Sequence, residues 1–187
     1  LRDYRAGDPL QRIHWKSFAR AGIPVVREYQ DEFFERHALV LDTFATRHDA
    51  AAFEEAVSVA ASFAVTLDTR DCLLDLLFVG AESYCYTAGR GQLQSGQLLE
   101  ILAGVQPCSD RPFRELAQVV LARRVMLSNC ILILLGWDDA RRAFAEALRR
   151  QGVPLLALVV TDSEPGVASD WLRRLRPRHI REDLAHL

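Results

Sequence analysis

From residue 37 onward the chain alternates between two rhythms of apolar and polar positions. Short apolar runs at 37–43 ("HALVLDT"), 72–80 ("CLLDLLFVG"), 130–136 ("CILILLG") and 153–160 ("VPLLALVV") read as strands. The run at 130–136 has the unbroken apolar character of a sheet centre. Between the runs the period lengthens. Over 48–69, Phe53, Val57, Ala60, Ala64 and Leu67 recur at helical spacing, and the many alanines there permit close packing on a sheet. "SYCYTA" (83–88) follows the strand at 72–80 after a short link, which predicts an antiparallel hairpin. "GRGQ" (89–92) is a turn. Helices are predicted over 95–107, with Pro107 marking the end, and over 111–125. Asp138 or Asp139 caps a further helix that stops at Gly152. A short helix at 168–175 and an edge strand at 178–182 complete the prediction. Strands alternating with helices imply a Rossmann-like, doubly wound α/β fold whose mainly parallel sheet is covered on both faces.

The preceding residues follow a different pattern. "GDPLQRIHWKSFAR" (7–20) reads as one helix over 8–20, with Asp8 as N-cap and Pro9 in the first helical position. Residues 24–30 read as a strand and 31–36 as a charged connector. The expected organisation is therefore an extension, 1–36, packed on a domain at 37–187. On a continuous helix Arg12, Lys16 and Arg20 form one basic stripe, Asp8 pairs with Arg12, and Ile13 and Trp15 anchor the segment to the main domain. His14 has no placed carboxylate or nucleophile beside it, so it reads as structural. The stripe suits an acidic protein surface, a phosphate group or an anionic lipid, or is an ordinary solvated face.

Composition narrows the function classes. Half of the 187 residues are hydrophobic, and the net charge of −2 gives no global attraction to nucleic acid or to an anionic membrane. All 23 basic residues except Lys16 are arginine. The run "RRLRPRHIR" (173–181) lacks interleaved aromatics apart from Trp171 nearby, so nucleic-acid binding is not expected. Cys72, Cys85, Cys108 and Cys130 show no metal-ligand spacing and suggest no disulfide framework. No apolar run approaches the ~18–20 residues that span a bilayer. No signal peptide is expected, and the chain reads as beginning inside a motif, as a piece of a longer parent would.

In a doubly wound sheet, ligands gather at the carboxyl ends of the strands. Those ends are Asp42–Thr46, Gly136–Asp139 and Thr161–Ser163. Asp75 is a carboxylate inside a strand, on the face that carries Leu73 and Leu77, and is expected to pair with an arginine. The chain has no G-x-S-x-G elbow, H-E-x-x-H or P-loop.

"LVLDTFAT" is similar to the first metal-binding segment of von Willebrand factor A-type domains, an Asp-x-Ser-x-Ser pattern after the first strand. "LRDYRAGDPLQRIHWKSFAR" closely resembles the signature of a bacterial family known as domain of unknown function 58 (DUF 58), as do "AGRGQ" and "LLEILAGVQP". The matching residues include Gly7, Asp8, Arg12, Ile13, His14, Trp15, Lys16, Ala19 and Arg20. The resemblance implies an A-type-like domain on the cytoplasmic side of a membrane-anchored parent, held there by segments outside this sequence. It also implies an association with MoxR-type AAA+ ATPases, and it supplies no biochemical activity. A-type domains hold Mg²⁺ or another hard divalent cation through oxygen ligands. Here Asp42 is present and Thr46 could replace the second Ser, but Phe44 stands at the first Ser position. The family's later Asp falls at Gly136; Asp138 either substitutes for it or caps the next helix. Asp42 then bonds backbone amides or a hydroxyl.

Three functional readings follow. The leading one is a non-catalytic protein-interaction domain working with the ATPase in protein assembly or maturation, with no cofactor. The second is a divalent-metal-dependent adhesion domain using Asp42, Thr46 and Asp138. The third is a hydrolase built on Asp42, Asp138, Asp139 and Asp162.

Overall fold

The computed structural model describes residues 2–26, 35–45, 49–67, 72–89, 93–164, 166 and 169–185. The chain forms two compact units, Leu1–Phe33 and Phe34–Leu187.

Within the second unit, six strands among the described residues form one sheet in the order β5-β4-β3-β6-β7-β8. They are β3 (Glu35–Leu41), β4 (Cys72–Val79), β5 (Ser83–Ala88), β6 (Asn129–Leu134), β7 (Leu155–Val160) and β8 (Leu172–Leu175). All neighbours are parallel except β4 and β5, the predicted hairpin. The helices are α2 (Ala50–Thr66), α3 (Ser95–Ala103), α4 (Arg114–Arg123), α5 (Asp139–Arg150) and α6 (Ile180–Leu184).

Period-2 alternation sends successive strand residues to opposite faces. Leu39, Leu41, Leu74, Leu76 and Ile133 therefore join Phe53 and Ala60 of α2 and Leu98 of α3 in one core. Ala38, Val40, Leu77, Leu132 and Leu134 join Leu116 of α4 and Phe144 and Leu148 of α5 in the other. The sheet is covered on both faces, as the sequence pattern requires.

Two terminal elements differ from the sequence reading. Residues 172–175 form an edge strand parallel to β7 instead of part of a helix at 168–175. The strand places Leu172 in one core and Leu175 in the other, so each face of the sheet gains a leucine. The expected edge strand at 178–182 is instead the short helix α6, which packs Ile180 and Leu184 on the first core.

In the first unit, β1 (Arg2–Asp3) pairs antiparallel with β2 (Val25–Val26). The helix expected over 8–20 is broken. A turn of 3-10 helix covers Leu10–Arg12, Ile13 is extended (φ −65°, ψ 129°) and bridges to Val26, and α1 runs from Trp15 to Ala21. Its end is set by Gly22 in the left-handed region at φ 69°. The expected strand at 24–30 is described only as far as Val26.

Candidate functional site

Strand order reverses between β3 and β6: the chain goes from β3 to β4 on one side and returns to β6 on the other. In open α/β sheets, ligands gather at such a switch point, at the carboxyl ends of the parallel strands. Asp42 follows β3 directly and is fully buried. Its Oδ1 accepts the Phe44 backbone N–H at 2.9 Å. Its Oδ2 accepts the Leu135 backbone N–H at 3.0 Å and Arg141 Nε–H at 2.6 Å.

Arg141 comes from the first turn of α5 and is 8% exposed. Asp138 caps that helix: its Oδ1 accepts the Arg141 backbone N–H at 2.8 Å. Its Oδ2 accepts a second bond from the Arg141 guanidinium. The remaining guanidinium nitrogen donates to the Phe44 carbonyl at 3.3 Å. The guanidinium lies 5.0 Å from the centre of the Phe113 ring, and Phe113 makes edge contacts with Phe44 and Phe144. Phe44, at the position where the A-type pattern has a serine, thus supplies apolar walling and a backbone carbonyl.

The electrostatics follow from burial. Desolvation is the largest effect and raises the Asp42 carboxyl above its ordinary value, against the downward pull of Arg141 and the two amides. All three groups facing its oxygens are donors, which suits the ionised form. Burial works against the Arg141 charge too, but Asp42 and Asp138 outweigh it and raise the guanidinium pKa. The neighbouring loops are tied as well. Buried Thr43 donates its hydroxyl to the Val79 carbonyl and accepts the Cys108 N–H at its own carbonyl, at 2.7 Å.

These residues do not fit a hard divalent cation. Both Asp42 oxygens are committed, and a cationic group already occupies the space between Asp42 and Asp138. Gly136 has φ 119°, a conformation that an aspartate would adopt only under strain. Thr46 lies outside the described residues. Among the described residues no group of three or more His, Cys, Asp or Glu side chains is placed to hold a metal.

The four carboxylates of the hydrolase reading take different roles. Asp42 and Asp138 meet on Arg141, the Asp139 side chain is fully exposed, and Asp162 lines a separate cleft with Asp49 and Arg178. Sequence reasoning missed Arg141, which lies 99 residues from Asp42. The signal available was its place three residues after a capping Asp, together with an Asp42 that had lost its expected oxygen-rich neighbours.

Asp75 behaves as expected. It is 1% exposed, accepts the Thr87 hydroxyl at 2.6 Å and pairs with Arg36 at 3.4 Å. None of the four cysteines is disulfide-bonded.

In the first unit the motif residues are arranged differently from the sequence expectation. Asp8 does not cap a helix or pair with Arg12. It binds Arg2 through two 2.8 Å hydrogen bonds and accepts the Arg5 backbone N–H at 2.9 Å, which holds its carboxyl down to about 2. The break at Ile13 takes Arg12 off the helix, so only Lys16 and Arg20 share the exposed face of α1. Trp15 is 60% exposed, beside Phe18 at 36%. His14 shares a 2.6 Å hydrogen bond with the Ser17 hydroxyl.

Comparison with known proteins agrees with this architecture. The family described as "Protein of unknown function DUF58" matches residues 1–163. The chain belongs to the DUF58 family. No curated protein matches it. Among solved structures, this DUF58 chain is similar to the manganese-loaded TRAP protein of Plasmodium vivax. The TM-score is 0.58 at 12% identity, covering 82% of this chain and 72% of the other. That neighbour is a von Willebrand A-domain protein, so the fold of the DUF58 chain is von Willebrand factor A-like.

Proposed function

We propose that this DUF58 chain is a non-catalytic protein-interaction domain of a membrane-anchored bacterial protein. In this reading it works on the cytoplasmic side with a MoxR-type AAA+ ATPase in the assembly or maturation of other proteins. The observation that carries the non-catalytic part is the commitment of the rim carboxylates. Asp42 has both oxygens engaged and Asp138 is a helix cap bound to Arg141, so neither is available as a general base or nucleophile. The A-type-like fold supports the interaction part. In this proposal α1 supplies part of the docking surface: Trp15 and Phe18 are apolar anchors beside Lys16 and Arg20, and Trp and Arg are types enriched in binding hot spots.

The test is co-purification of the chain with its cognate ATPase in the presence of ATP and of ADP. The expected result is association that depends on the nucleotide and weakens when Trp15 and Phe18 are both replaced by Ala. No association with either nucleotide contradicts the proposal.

A further inference from the structure

The guanidinium at the rim has the surroundings of a bound metal ion. Oxygens from three separate points of the chain face it: Asp42 Oδ2 at the end of β3, the Phe44 carbonyl in the loop beyond, and Asp138 Oδ2 at the start of α5. Carboxylates and a backbone carbonyl are the donors a hard cation takes. A guanidinium answers the same need with a fixed fork of N–H donors.

We infer that Arg141 is the resident cation of this DUF58 rim, a covalently attached substitute for a divalent ion, and that its presence is what keeps such an ion out. Two consequences separate it from a metal. It does not exchange, so chelators do not remove it and cation concentration does not regulate it. It also stays protonated across the physiological range, so pH does not release it. The rim is therefore set in one charge state, with α5 held to the end of β3. This holds whether or not a protein partner docks at the rim.

The experiment is a Mn²⁺ titration followed by electron paramagnetic resonance of the free ion. It uses the wild-type chain, Asp42→Asn, Arg141→Ala and Arg141→Ala/Asp42→Asn. The expected result is no Asp42-dependent uptake by wild type, uptake of about one equivalent by Arg141→Ala, and loss of that uptake in the double variant. Wild-type uptake that Asp42→Asn removes would overturn the inference. So would a folded Arg141→Ala that takes up no Mn²⁺, because the missing oxygen donors and not Arg141 would then exclude the ion. Should Arg141→Ala not fold, the NMR signal of the wild-type Arg141 Nε–H decides. It is expected to keep its linewidth as Mn²⁺ is added, and broadening at substoichiometric Mn²⁺ overturns the inference.

Discussion

Replacing Arg141 with Ala removes one partner of a buried ion pair and strands the other. Asp42 has no exposed surface and Arg141 is 8% exposed, so water cannot take over the lost contact without rearrangement. Breaking such a pair from one side costs about 3–5 kcal/mol. The loss of the guanidinium from the Phe113 ring accounts for about 1 kcal/mol of this. For a unit of this size the cost corresponds to a drop in Tm of roughly 6–20 °C. Urea unfolding followed by circular dichroism measures it. Asp42→Asn/Arg141→Met removes both charges together, and its loss is expected to be smaller than the sum of the single losses by about 0.5–3 kcal/mol. If Arg141→Ala stays within about 1 kcal/mol of wild type at an unchanged m-value, the pair is not structurally coupled and the reasoning fails.

Asp8 in the first unit has its carboxyl lowered to about 2 by Arg2 and the Arg5 amide, so its stabilising effect is complete above about pH 4 and fades as pH falls towards 2. An NMR acid titration is expected to place the Asp8 midpoint near 2, and a midpoint near 4 would show that the Arg2 pair does not form in solution. Thr87→Val leaves the buried Asp75 without its 2.6 Å hydroxyl partner and is expected to cost about 1.5–3 kcal/mol in urea unfolding; a change under about 0.5 kcal/mol would contradict the contact. Leu175→Ala empties a fully buried site under β8 and should cost about 2–5 kcal/mol, whereas a leucine on a peripheral helix would lose less than about 1 kcal/mol.

The central elements were readable because their periodicities are unambiguous. The apolar run at 130–136 covers all of the central strand β6 but its first residue, the runs at 72–80 and 83–88 form the hairpin, and Asp138 is the cap of α5. The errors lie where one spacing serves two geometries. Leu172 and Leu175 are three apart, which matches a helical face, but in an edge strand the same spacing gives each core one leucine. At 8–20 the helical propensity of the segment was overridden by the pairing of Ile13 with Val26, a tertiary constraint with no local signature. The switch point and Asp42 could be placed from strand order. The fate of Asp42 could not, because its charge partner arrives from a helix 99 residues later and the pairing exists only once β3 and β6 lie side by side.

The most direct test of the Arg141-closed rim is a crystal structure of this DUF58 chain grown in Mn²⁺, with an anomalous difference map collected at the manganese edge. The account predicts no peak beside Asp42 and a guanidinium between Asp42 and Asp138. A peak coordinated by Asp42, with Arg141 swung away from it, would contradict the account.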